Sequence, residues 1–284
     1  MLCQKTKQEE CLMERFNENL PSIVLGGGGT FGIGYESGIL DEFRERGAEF
    51  QNAQVLGTSA GAWVGGFIGM AKSYDDVTSK VKHLKAPNRK PGYLQELTRE
   101  VFGNDRAANV SAVALQLPAK GARRPRAVKL NGGDHDLADI VAASSAIPGV
   151  FHSVRIGEHR YWDGGVRSIV SADLAPRSHT VLAIAALTQH FFPPVGPVLE
   201  MQLHHELKKW GKNNDGKVIY IRPNRAIGEL VHSVKDCVSI EIGKRAYEMA
   251  RYQAADLIEN RESISRLFES MCPDDPQSDT AQRI

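Results

Sequence analysis

A serine set between two glycines, in Gly57-Thr58-Ser59-Ala60-Gly61, constrains this chain more than any other segment. Gln54-Val55-Leu56 before it reads as an apolar strand, and Ala60 to Met70 after it reads as a helix unusually rich in glycine and alanine. A Gly-x-Ser-x-Gly segment at a strand-to-helix junction puts the serine on a sharp turn with its hydroxyl exposed. A side chain at either flanking position would clash in so tight a turn. Small residues on the following helix let it lie close against a sheet. The segment therefore calls for an α/β sheet whose strand end carries the turn. A serine hydroxyl is a poor nucleophile without a base in hydrogen-bond reach, so a base is expected elsewhere in the chain.

Gly26-Gly27-Gly28-Gly29 follows another short apolar strand, Ser22-Ile23-Val24-Leu25. Three readings are open. Gly27-x-Gly29-x-x-Gly32 fits a dinucleotide fingerprint, but that fingerprint needs an acid near the end of the next strand. The next strand runs into Ser59, and Glu49 lies before it. A tight turn without a ligand is the second reading. The third is an oxyanion hole, with glycine amides near the start of a helix over Tyr35 to Arg46 facing a developing negative charge. It accounts for the glycines and for Ser59 together.

Asp163-Gly164-Gly165 follows Tyr161-Trp162 and places a carboxylate at a strand end. A carboxylate in a partly desolvated site titrates above free aspartate and can act as a general base. The plain alternative is an Asx turn. A triad would need a histidine late in the chain. His179, His190, His204, His205 and His232 all follow Asp163, and none sits in a glycine-rich loop at a strand end. Adjacent helical residues diverge, so His204-His205 does not read as a metal pair. The residues read as a Ser59–Asp163 dyad with no metal and no cofactor.

The rest of the chain alternates strands and helices, which points to a sheet with helices on both faces. Expected strands are Ala127–Leu130, Val181–Leu187 and Lys217–Ile221, and expected helices are Leu137–Ser145, a stretch near Leu199–Trp210, and Ser239–Glu259. Ser73–Val110 reads as two or three short amphipathic helices. Residues 1–20 form an N-terminal extension, 21–272 one catalytic domain, and 273–284 a polar tail expected to be disordered. A net charge of +1 gives no general attraction for nucleic acid. The basic clusters Ala122–Arg126 and Lys208-Lys209 read as solvated surface. Cys3, Cys11, Cys237 and Cys272 have no metal spacing and are expected as free thiols. The first twenty residues contain no apolar signal core, and no apolar run is long enough to span a bilayer. The expectation is a cytoplasmic protein that meets membrane only at its surface, with the apolar Phe191-Phe192-Pro193-Pro194-Val195 loop as a candidate lipid contact or pocket roof.

Four blocks in order resemble the patatin-like phospholipases: Gly26–Gly32, Gly57–Gly61, Ala143-Ser144-Ser145-Ala146-Ile147-Pro148-Gly149-Val150-Phe151 and Asp163–Gly165. The resemblance runs from about Ile23 to Val166 and more weakly to the end of the long C-terminal helix. It implies a three-layer α/β/α fold with a mostly parallel central sheet. It also implies hydrolysis of acyl esters, commonly of phospholipids or other lipids. Ser59 matches the nucleophile, Asp163 the base, and Gly27, Gly28 and Gly29 the oxyanion glycines. Three positions depart from the pattern. Phe31 stands where the family usually carries Arg or Lys, His152 where proline is frequent, and Ser168-Ile169-Val170 where an Asn-x-Pro turn is frequent. Phe31 and His152 are candidates to line the pocket. The absent cation at Phe31 keeps a second enzyme reading open, an acyltransferase or (thio)esterase acting on a small-molecule or carrier-bound acyl group. A binding module with a vestigial site is the non-enzyme alternative.

Overall fold

The computed structural model describes residues 20–79, 85–118, 124–188, 191 and 195–273. The N-terminal extension and the C-terminal tail lie outside the described residues except for Leu20 and Pro273, as do Ala122, Arg123, His190 and Phe192-Pro193-Pro194. In chain order the elements are β1 (Ser22–Leu25), α1 (Gly29–Glu45), β2 (Val55–Thr58), α2 (Ala60–Gly69), α3 (Tyr74–Thr78) and α4 (Tyr93–Phe102). There follow β3 (Ala107–Gln116), β4 (Arg126–Gly132), α5 (Leu137–Ser144), β5 (Val154–Ile156), β6 (His159–Asp163) and β7 (Thr180–Ile184). The last are α6 (Val195–Asn214), β8 (Lys217–Ile221), α7 (Arg225–Gly228), α8 (Ile240–Asn260) and α9 (Glu262–Met271).

The eight strands form one mixed sheet in the order β5-β6-β3-β2-β1-β7-β8, with β4 paired to β3. Its centre, β3-β2-β1-β7-β8, is parallel, and β4, β5 and β6 add antiparallel pairings at one side. Helices cover both faces. Side chains alternate across the sheet at the strand period of two: Ile23 and Leu25 enter the larger core, while Val24 between them enters the smaller one. The larger core holds α1, α2, α4, α5, α8 and α9; the smaller is closed by α6 through Leu203, Leu207 and Trp210. This is the α/β fold with helices on both faces that the sequence implied. Among the described residues no helix is long and apolar enough to cross a membrane.

Two departures from expectation matter for the site. The helix expected over Tyr35 to Arg46 begins at Gly29, with Gly28 as its N-cap. Glycines at 32, 34 and 38 are poor helix formers, but tertiary packing overrides propensity here. A Cβ on Gly34 would sit 2.0 Å from the carbonyl oxygen of Gly243 in α8, so the two helices meet backbone to backbone. The helix start is thereby brought to the glycine run itself.

The second departure is β3, which the sequence reading placed partly in a helical stretch. It supplies the axis of the site. On one edge it pairs with β2 as far as Thr58 opposite Val113, and the next residue, Ala114, pairs with Asp163 at the end of β6. On its other edge it pairs with β4. The strands β2 and β6 thus meet end to end along one side of β3. Ser59 leaves one of them and Asp163 ends the other at the same level.

Candidate active site

Ser59 sits between β2 and α2 with φ 54° and ψ −111°, a backbone conformation that non-glycine residues avoid. Its neighbours explain how it is held there. A Cβ on Gly57 would lie 2.3 Å from the carbonyl oxygen of Gly61, and a Cβ on Gly61 would lie 2.3 Å from that of Leu25. Both positions require glycine, for close approach rather than for φ. Positive φ at a serine costs on the order of 1–3 kcal/mol and persists only where the surroundings over-determine it.

Asp163 is 3% exposed. Its carboxyl oxygen Oδ1 accepts the Gly165 amide at 2.6 Å, and the Ser59 hydroxyl is near enough to favour the carboxylate form. Burial raises its pKa from 3.8 to about 6, against the lowering effect of the Ser59 and Gly165 hydrogen bonds. The group is therefore an anion at neutral pH and poised near it. Gly164 is required because a Cβ there would meet the Val113 carbonyl oxygen at 2.4 Å.

The glycine run passes beside the serine: a Cβ on Gly27 would lie 3.6 Å from Ser59 Cβ. The Gly27 amide, however, donates to the carbonyl of Ile169 at 2.8 Å. This corrects the expectation of three oxyanion glycines, because an amide already bonded to a carbonyl is unavailable to a substrate. Gly28 and Gly29 donate to no acceptor among the described residues, and neither does Ala60, the residue after the serine. Gly28 and Gly29 lie at the N-cap and first position of α1, and Ala60 is the first residue of α2, where amides have no intrahelical partner.

A pocket of about 900 Å³, counted with its open mouth, starts at Ser59 and Gly29. Trp63, Phe67, Leu94, Leu97, Ile147 and Phe151 make its walls. No lining residue among the described ones carries a charge or an imidazole. Two expected lining residues are elsewhere. Phe31 is 1% exposed and faces a separate small cavity with Ala186, Thr188 and Phe191, because it lies on the opposite side of α1 from Thr30 and Ile33. His152 is exposed and its Nδ1 pairs with the Ser153 carbonyl oxygen at 2.9 Å. Among the described residues no group of three His, Cys, Asp or Glu side chains is placed to hold a metal ion.

Motif reading missed two polar contributors. Ser144, at the end of α5, accepts the Ser59 amide at 2.9 Å. Glu36, fully buried on α1, accepts the Gly26 amide on Oε1 at 2.8 Å, while its Oε2 has no partner among the described residues. The same Gly26 amide also reaches the Ile184 carbonyl at 3.1 Å, and the Gly26 carbonyl accepts the Gly61 amide at 2.8 Å, so Glu36 and β7 together fix the residue that joins the glycine run to α2. Two adjacent serines closing an otherwise apolar helix were the available signal for the first. A lone acid amid glycines and apolar residues was the signal for the second.

Burial holds the Glu36 carboxyl well above its ordinary value of 4.5. An acid whose folded pKa is raised binds more protons folded than unfolded, so its contribution to stability falls as pH rises from the unfolded value toward the folded one. Asp163 acts in the same direction only up to about pH 6. The melting temperature of the wild type is thus expected to go on declining above about pH 6, and Glu36→Gln, which keeps the acceptor for Gly26, should flatten that decline. Thermal unfolding across pH tests this; equal slopes in the two proteins would show that Glu36 titrates normally.

The sequence model of the patatin-like phospholipase family matches residues 23–176, more than half of the chain. The chain belongs to that family of lipid hydrolases. Among solved structures, VipD from Legionella pneumophila matches with 14% identity and a TM-score of 0.47, over 89% of this chain and 67% of VipD. No curated protein matches the sequence significantly.

Proposed function

We propose that the protein is a serine acyl hydrolase that cleaves carboxylic ester bonds of lipids through Ser59, Asp163 and an acyl-enzyme. The observation that carries this reading is the meeting of Ser59, on its strained turn after β2, and the buried Asp163 carboxylate, at the end of β6, on one side of β3 beside an uncharged apolar pocket. Asp163 takes the hydroxyl proton as Ser59 Oγ bonds to the ester carbonyl carbon. The carbonyl oxygen becomes an oxyanion facing the Gly28, Gly29 and Ala60 amides, each such donor contributing about 3 kcal/mol. Collapse expels the alcohol, which receives the proton back from Asp163. Water then attacks the acyl-enzyme, giving its proton to Asp163, and the acid leaves as Ser59 recovers that proton.

The pocket walls suit an aliphatic acyl chain, whose burial contributes about 0.8 kcal/mol per methylene. Ile240 lines the pocket and is 39% exposed, so the mouth offers a point of peripheral contact with a lipid surface. One observation favours a narrower choice of ester. No charged side chain lines the pocket among the described residues, so it supplies no partner for an anionic headgroup. Esters with an uncharged alcohol, or a carrier-bound acyl group, are then better served than phospholipid.

The test has two stages. A fluorophosphonate probe should label the wild type at Ser59; no labelling would leave a binding module with a vestigial site. A panel of short esters, lysophospholipids, phospholipid vesicles and thioesters then ranks substrates by kcat/KM. Release of fatty acid from phospholipid vesicles at the highest rate of the panel would overturn the preference for uncharged alcohols.

A further inference from the structure

The end of α5 and the two residues that follow it reach both Ser59 and Asp163. Ser144 is completely buried. Its hydroxyl accepts the Ser59 amide at 2.9 Å and donates to the Val113 carbonyl at 2.6 Å. Two residues further on, the Ala146 carbonyl accepts the Asp163 amide at 3.0 Å. The β2–β3 ladder ends at Thr58 opposite Val113. Beyond that point the two strands are joined through a side-chain hydroxyl. The Ser59 amide is the first one that the strained turn lifts out of the sheet, and a buried amide needs an acceptor. Ser144 supplies it from the end of α5, two residues before the carbonyl that fixes the end of β6.

We propose that Ser144 is a positioning residue for the dyad: interposed between the Ser59 amide and the Val113 carbonyl, its hydroxyl holds the serine turn in the orientation that directs Oγ at Asp163. This rests on the reading of Ser59 as nucleophile. Ser144 does not line the pocket, so it acts on the reacting atoms through Ser59 and leaves acyl-chain binding alone. A displacement of the nucleophile by a fraction of an ångström to one ångström is enough to lower turnover by up to about 100-fold.

The test uses the full chain, a soluble short-chain ester and a fluorophosphonate. Ser144→Ala removes the acceptor, and Ser144→Cys fills the same space with a poorer one. In both variants kcat and the labelling rate should fall together by about 10- to 100-fold while KM stays within about twofold. The acid limb of kcat/KM should move to higher pH, because a misdirected Ser59 no longer lowers the Asp163 pKa through its hydrogen bond. A folded variant with wild-type kcat and an unmoved acid limb overturns the proposal, whatever its melting temperature. Failure of both variants to fold also overturns it, since Ser144 would then be a folding residue. Ser59→Ala separates the two readings. If Ser59→Ala retains activity, the dyad itself is wrong; if it is inactive while both Ser144 variants equal wild type, only the role of Ser144 falls.

Discussion

Ser59→Ala is expected to lower ester hydrolysis by at least about four orders of magnitude, the scale seen when a hydrolase loses its serine nucleophile. The fold should persist. The side chain removed is one hydroxyl at the edge of an open pocket, and the alanine keeps the Cβ that the turn already accommodates. A stability comparison sharpens the test. Alanine inherits the unfavourable φ of 54°, whereas Ser59→Gly relieves it. The glycine variant should therefore unfold at a higher temperature than the alanine variant, by the equivalent of roughly 1 kcal/mol, although both are inactive. Kinetics on a soluble ester and thermal unfolding give the two readouts. Turnover within about tenfold of wild type in either folded variant would remove Ser59 from the chemistry.

The residues that bear on this result differ in how readily the sequence shows them. Ser59, Asp163 and the glycine run are legible because close packing of backbone demands glycine around them, and glycine at fixed spacing is visible in a sequence. The strands β1 and β8 are legible as short apolar runs with β-branched residues. The strand β3 is not. Ala107-Ala108-Asn109-Val110-Ser111-Ala112-Val113-Ala114 is rich in alanine, which has low strand propensity, and the strand owes its place to neighbours on both edges. Missing β3 hides the junction where β2 and β6 meet, and with it the reason why residues 59 and 163 come together. The candidate oxyanion donors are half legible. Glycine identity marked the loop, but which amides stay free depends on the Ile169 carbonyl, a residue whose approach to Gly27 no local pattern encodes. Phe31 differs for a related reason: a position next to the glycine run in sequence can lie on the far side of the helix that the run begins.

The Asp163 carboxylate should set the acid limb of activity. As the base it must be ionised in the free enzyme, so kcat/KM falls as pH drops through its pKa. Burial places that pKa at about 6 rather than 3.8, and the limb is expected near pH 6. Asp163→Asn keeps the shape and removes the proton acceptor, so its activity should fall nearly as far as that of Ser59→Ala. The double variant should be little worse than either, because the two groups act as one unit. Stability should move the other way. The folded pKa lies above the unfolded one, so ionising Asp163 inside the protein weakens folding progressively between about pH 4 and 6, by on the order of 3 kcal/mol once complete. Asn carries no such penalty. The Asp163→Asn protein should then equal the wild type in melting temperature near pH 4 and exceed it at pH 7. An acid limb near pH 4, or an Asn variant with wild-type turnover, would return Asp163 to the role of a turn residue. Opposite signs in activity and stability at neutral pH are the mark of a group kept in an unfavourable state for its chemistry.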